Sequence, residues 1–189
     1  MKKTATLMAL LACAICAFAQ NDGDILKKIQ SSPARKAKVE GNFKEVRNFP
    51  DKSKPAATLS GKLSYDPAGK IMMKYENGEE FSIDGNMMVI DRDGKRQQFD
   101  TSKNIMMRGL SHAITYAFEG RMDELSKEQN ARMLISEKNG KYIVALTAQA
   151  ASARGYSCIE VAYNAKTGVL ETIRMDEFTG ARTFYSYVK

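Results

Sequence analysis

The chain has no Trp, one His, three Cys and four Pro in 189 residues. A single His cannot build a multi-histidine metal centre. Three Cys without paired spacing exclude a zinc ribbon and a disulfide framework. Few Pro and unpatterned Gly exclude collagen-like and Pro-rich fibres. No Gly-rich phosphate loop follows a strand, and no Ser/Asp pair can be placed beside His112, which reads as a solvated surface histidine. Asp91-Arg92-Asp93-Gly94 lacks the later ligands of a calcium loop and reads as a hairpin turn. No catalytic constellation is visible, so the expectation is a protein that is not an enzyme and needs no cofactor or metal. What is present, 43% hydrophobic and 27% charged residues, suits one globular domain.

The first nineteen residues read as a leader. Lys2 and Lys3 precede an uncharged stretch from Ala5 to Phe18, and Ala17-Phe18-Ala19 is a cleavage signal before Gln20. The apolar run is short for a membrane span. The expected domain division is therefore 1–19, a cleaved signal peptide, and 20–189, a single domain in the periplasm. Leu10-Leu11-Ala12-Cys13 offers a rival reading, a lipobox with Cys13 as the lipidated residue, although Leu11 stands where a small residue is usual. Cleavage at Ala19 leaves Cys158 as the one thiol, in a strand pattern where Cys is a small apolar group.

Loss of Lys2 and Lys3 takes the formal net charge from +7 to +5. The excess is local: nine Lys/Arg against three Asp/Glu lie between Lys27 and Lys54. No stacking aromatics interleave with these charges, so nucleic acid is not expected as a partner.

The periodicity predicts a short opening helix with Asp22 or Asp24 as cap and Ile25, Leu26 and Ile29 on one face. Six strands follow, over 37–47, 57–65, 70–75, 79–84, 87–91 and 95–99, separated by turn signals such as Asp84-Gly85 and Asp93-Gly94. The period then changes. Between Ile105 and Phe118 the apolar residues fall within one arc at 100° per residue, with Arg108, Ser111, His112 and Thr115 opposite. A short helix over 123–129 leads to five more strands, over 132–137, 141–148, 155–163, 169–176 and 181–188. Asn139-Gly140 between the first two is the strongest hairpin dipeptide.

Met72-Met73, Met87-Met88 and Met106-Met107 are unusual. In a strand, one Met of a pair faces each side of the sheet. Such pairs fit a central strand covered on both faces, or a pliable lining for a variable apolar ligand.

Gly61-Lys62-Leu63-Ser64-Tyr65-Asp66-Pro67 through Tyr75, followed by Phe81-Ser82-Ile83-Asp84-Gly85-Asn86, resembles the motif core of periplasmic outer-membrane lipoprotein carriers of the LolA type. The order of helices and strands agrees over nearly the whole chain after the leader. The resemblance implies a mainly β (α+β) fold, a strongly curved, unclosed antiparallel β-barrel of about eleven strands with a helical lid. It also implies a monomeric carrier that shields lipoprotein acyl chains between the concave sheet and the lid. Its partners would be an inner-membrane lipoprotein-releasing transporter and an outer-membrane receptor. An anchored acceptor of the same fold lipidated at Cys13, or a periplasmic interaction or sensor module, are the alternatives.

From the lid, the acyl-chain lining expected is Met106, Met107, Leu110, Ile114 and Phe118. From the first three strands of the motif region it is Leu59, Leu63, Ile71, Met73 and Tyr75, and from the next two Phe81, Ile83, Met88 and Ile90. Alternation leaves open which sheet face is concave. Three departures from the family pattern stand out. Asp66 replaces the basic residue before the motif proline that is associated with holding the lid; Tyr75 stands where Trp is frequent; and Lys189 follows the last strand without the extension some carriers have.

Overall fold

A computed structural model describes residues 22–51, 53–150 and 155–188. The leader, its cleavage site and Cys13 lie outside the described residues. Helix α1 occupies 22–31 and buries Ile25 and Ile29. Asp24 lies within this helix rather than at its cap. A single 3-10 turn at Pro33–Arg35 leads into the sheet.

Six strands come next: β1 (Val39–Asn48), β2 (Ala57–Asp66), β3 (Lys70–Tyr75), β4 (Glu80–Asp84), β5 (Met87–Arg92) and β6 (Lys95–Asp100). Helices α2 (Ile105–Glu119) and α3 (Met122–Glu128) follow. The chain then returns to β7 (Ala131–Lys138), β8 (Lys141–Ala148), β9 (Tyr156–Asn164), β10 (Leu170–Glu177) and β11 (Arg182–Val188). The tight turns are built as their sequences require. Asp93 and Gly94 have φ of 53° and 69°, and Asn139 and Gly140 of 53° and 71°, the left-handed pairs that match strand twist in a two-residue hairpin.

All eleven strands form one antiparallel sheet in the order β6-β5-β4-β3-β2-β1-β11-β10-β9-β8-β7. β6 and β7 are the two edges and do not pair, so the barrel is unclosed. They are consecutive strands in the chain. The α2–α3 segment joining them must therefore cross from one edge of the sheet to the other. It does so over the buried face, where Ile114 and Phe118 share one core with the sheet. This is the architecture implied by the motif resemblance.

Register sets the buried face. Val39, Tyr65, Ile71, Ile83, Met88 and Phe99 are successive cross-strand partners, and so are Gly41, Leu63, Met73, Phe81 and Ile90. Each set turns to the same side because the strand period is two. Met73 and Met88 are fully buried, whereas Met72 and Met87 are 38% and 43% exposed. The paired methionines thus straddle a sheet covered on one face only, and the two-sided covering weighed from the sequence does not occur.

Gly61 lets the sheet bend. It pairs with Phe43 on one side and Tyr75 on the other. A Cβ here would fall on the Lys74 carbonyl and within 2.8 Å of the Tyr75 Cα. The β3 backbone therefore approaches β2 too closely for any side chain at this position, and the rings of its two partners, Phe43 and Tyr75, meet edge to face at 4.9 Å. Helix α2 is capped by the Asn104 side chain, which accepts from the Met107 N–H, and stopped by left-handed Gly120. Ser111, expected on its solvated side, is buried, so the helix is embedded over more than its apolar arc.

Candidate functional site

Two cavities open at opposite parts of the concave face. The first, about 260 Å³, lies where β1 runs on past its last β11 partner, since the β1–β11 pairing stops at Asn42↔Val188. Its apolar wall comes from Val39 and Leu63 of the sheet, Phe118 of α2, Leu170 of β10 and the Tyr65 and Tyr187 rings. Phe118 is held between the two tyrosines, stacked on Tyr65 at 4.9 Å and tilted against Tyr187 at 5.2 Å. The C-terminal turn of the helix is therefore the roof of this space and the strands are its floor.

Arg35 pins that roof. From Nη1 it donates to the carbonyls of Ala117, at 3.3 Å, and of Phe118. From Nη2 it donates to the Gly168 carbonyl in the β9–β10 turn. Its guanidinium lies 5.1 Å from the centroid of the Tyr163 ring, and the Tyr163 hydroxyl donates to the same Ala117 carbonyl at 2.8 Å. Asp66, in the place where the family pattern has a basic residue, points away to a surface pair with Lys38 at 2.8 Å. Helix α2 is thus fastened to the β9–β10 turn through Arg35. Burial pulls the Arg35 guanidinium below its ordinary value, while Tyr163 and Tyr65 oppose that shift.

The second cavity, about 340 Å³, is more polar. Phe81, Ile90 and Leu110 meet there with a chain of charges. Glu45, 1% exposed, accepts from the Tyr75 hydroxyl at 2.6 Å and from Arg47, whose Nη2 is 3.0 Å away. Arg47 reaches on to Glu79 at 3.6 Å, and Glu79 pairs with Arg92 at 3.1 Å. Burial and the Glu45 carboxylate push the Tyr75 hydroxyl well above the ordinary tyrosine value.

The fourteen lining residues expected from the sequence divide between four surroundings. Leu63 and Phe118 line the first cavity; Tyr75, Phe81, Ile90 and Leu110 line the second. Ile71, Met73, Ile83, Met88 and Ile114 are buried in the core, and Leu59 and Met107 pack half-buried against it. Met106 stands out at 52% exposure and lines neither cavity. Arg35, Tyr187 and Glu45 were not singled out. Tyr187 and Glu45 lie in strand patterns without any local peculiarity, and Arg35 is one charge in a basic run.

No family model and no curated protein matches the sequence. Solved structures do. A LolA superfamily protein from Nitrosomonas europaea superposes with a TM-score of 0.41 at 9% identity, covering 89% of this chain and 91% of its own. The Mycobacterium tuberculosis lipoprotein LppX gives 0.38 at 14% identity, over 89% and 95%. LprF from Mycobacterium bovis gives 0.40 at 13%, over 90% and 92%. The chain is similar to these three along most of its length. His112, half-buried, stacks on Tyr116 and bonds Glu128 at 2.7 Å, away from both cavities. Among the described residues, no group of three or more His, Cys, Asp or Glu is placed to hold a metal ion.

Proposed function

We propose that the protein is a periplasmic carrier that shields the acyl chains of lipoproteins and moves them from the inner to the outer membrane. The observation that carries this reading is the first cavity, an apolar space roofed by α2 and floored by the concave sheet. The motif resemblance around Gly61–Tyr75 gives it the same direction.

The physical need is large. Each acyl CH₂ in water costs about 0.8 kcal/mol, so three long chains cost on the order of 30 kcal/mol. A protein that carries them must hide most of that surface and yet release it. With α2 fastened, the apolar cavity, at about 260 Å³, is below the roughly 300–1,000 Å³ of ordinary ligand sites and too small for three long chains. Full loading then requires α2 to swing away from the floor, breaking the Arg35 bonds to Ala117 and Phe118. Two hydrogen bonds from Arg35 and one from Tyr163 are given up in that motion, and the apolar face of α2, with Ile114 and Phe118, leaves the sheet.

The test is displacement of an environment-sensitive apolar dye by a synthetic triacylated lipopeptide. Saturable displacement is expected. A folded protein that neither binds the dye nor releases it to the lipopeptide would overturn the reading.

A further inference from the structure

The antiparallel order puts alternate turns at opposite ends of the sheet, and the two ends differ in charge. At the end where the first cavity opens lie the entry to β1, the β2–β3, β4–β5, β7–β8 and β9–β10 turns, and the exit from β6 into α2. Counted with the strand-end residues, these segments hold seven Lys, no Arg and three Asp. Lys38, Lys70 and Lys103 pair with Asp66, Asp84 and Asp100, and Lys141 pairs with Glu171 of β10. Lys36, Lys138 and Lys166 remain, exposed and, among the described residues, in no ion pair. Against them stand Glu40 and Glu137, each one residue inside its strand. The turns of the other end, counted the same way, balance at six Lys/Arg and six Asp/Glu.

The three turns that carry the unpaired lysines are tied to one another. Ser32, which caps the 3-10 turn before Lys36, donates from Oγ to the Thr167 carbonyl at 2.9 Å, and the Ala165 N–H donates to the Gly140 carbonyl at 2.9 Å. Arg35 and Thr167, the chain neighbours of Lys36 and Lys166, line the first cavity, so these two lysines stand at its lip. Exposed apolar side chains share this end. Val188 closes β11 at 60% exposure, Met87 opens β5, and Ile105 and Met106 open α2 at 78% and 52%. These are four of the seven large apolar side chains that stand exposed among the described residues, whereas Phe49 alone lies in a turn of the opposite end.

A protein partner matches this end poorly, because protein interfaces are depleted in Lys and enriched in Arg and aromatic residues. Flexible lysines spread over several turns, together with projecting apolar side chains, suit a lipid surface instead. The ammonium groups attract anionic head groups, and the apolar groups enter the boundary with the acyl chains. We infer that this end of the barrel docks on an anionic lipid bilayer, with the mouth of the first cavity turned to the head groups. This deepens the acyl-shielding reading and rests on it for what passes through the mouth. A chain leaving the bilayer then meets the cavity directly, without the cost of exposing its whole length to bulk water.

The experiment is co-sedimentation of the full protein with large vesicles, of phosphatidylcholine alone or with about one third phosphatidylglycerol. Binding to the anionic vesicles is expected to be about tenfold tighter or more, and to weaken as salt rises from about 0.05 M to about 0.5 M and screens the lysines. Lys36→Gln with Lys166→Gln is expected to lower it about tenfold. Lys54→Gln with Lys95→Gln removes the same charge from the opposite end and is expected to change it less than about twofold. Ile105→Ser with Met106→Ser is expected to weaken binding at both salt concentrations. All six positions are exposed, so these variants keep the fold. Equal losses from the two lysine pairs would overturn the inference, since net charge alone would then account for binding. Absence of any preference for the anionic vesicles would also overturn it and leave an acidic protein as the partner of this end. Lipopeptide displacement of the dye, measured without vesicles, reads the acyl site separately. If displacement holds while the vesicle results fail, docking alone falls; if it fails with them, both readings fall.

Discussion

Glu45 is the one fully buried carboxylate among the described residues, and its surroundings explain how it is tolerated. A lone buried carboxylate is strongly disfavoured. This one is met by the guanidinium of Arg47 two residues along the same strand face, and by the Tyr75 hydroxyl across the Gly61 bend. Removing one member of such a pair costs more than removing both, because the survivor is left buried and unpaired. Arg47→Met is therefore expected to lower stability by about 3 kcal/mol. Adding Glu45→Gln to it should recover more than half of that loss. Urea unfolding of the single and double variants measures the coupling; strictly additive losses would contradict the account. None of this was visible in the sequence. Glu45 and Arg47 sit in a strand whose alternation reads as ordinary, and the neighbour that makes them a pair with Tyr75 is brought in by the sheet's curvature.

Among the elements, α2 carries the most consequence. Its period gave its limits almost to the residue, and its apolar arc pointed to Ile114 and Phe118 as the embedded face, as found. The strands were legible for a related reason: two-residue turns such as Asn139-Gly140 fix where they begin and end. The sense of each face was not legible. Alternation shows that Met72 and Met73 point apart, and only the pairing of Met73 with Leu63 and Phe81 shows which one is inside. The fastening by Arg35 was equally hidden, because its partners lie 82 to 133 residues away. A prediction belongs at this level. Leu110 is a half-buried α2 residue lining the second cavity with Phe81, Ile90 and four acids, Glu45, Glu79, Glu80 and Glu177, against two cations, Arg47 and Arg92. Leu110→Glu would add a fifth carboxylate where both arginines are already paired, and enclosing it against an acyl chain costs about 2 kcal/mol or more in any closed, loaded state. Lipopeptide affinity is expected to fall at least tenfold with the circular dichroism spectrum unchanged. Wild-type affinity in that folded variant would remove this part of the helix from the acyl path.

Across the whole molecule, the concave face is lined by tyrosines whose hydroxyls are held neutral. Burial raises Tyr75, Tyr156, Tyr163, Tyr185 and Tyr187 above the ordinary tyrosine value of 10.0. A group whose value is higher in the folded state contributes its stability in full below the unfolded value and loses it as pH climbs toward the folded one. The fold is thus expected to be insensitive to these groups up to about pH 10 and to unfold cooperatively above it. Tyrosinate absorbance and far-ultraviolet circular dichroism followed together should change in one transition. Tyrosines that ionise together near pH 10 in a protein that keeps its sheet would show that these rings are not enclosed as described.

The core of the account is that an acyl chain enters the space between α2 and the sheet. A fatty acid carrying a nitroxide near its methyl end tests this most directly, read by methyl resonances of the ¹³C-labelled protein. Broadening centred on Leu63 and Leu170, with the outward-facing Met72 and Met87 left sharp, is the predicted result. Broadening confined to Met72, Met87 or the exposed Ile105 and Met106, with Leu63 and Leu170 undisturbed, would contradict it.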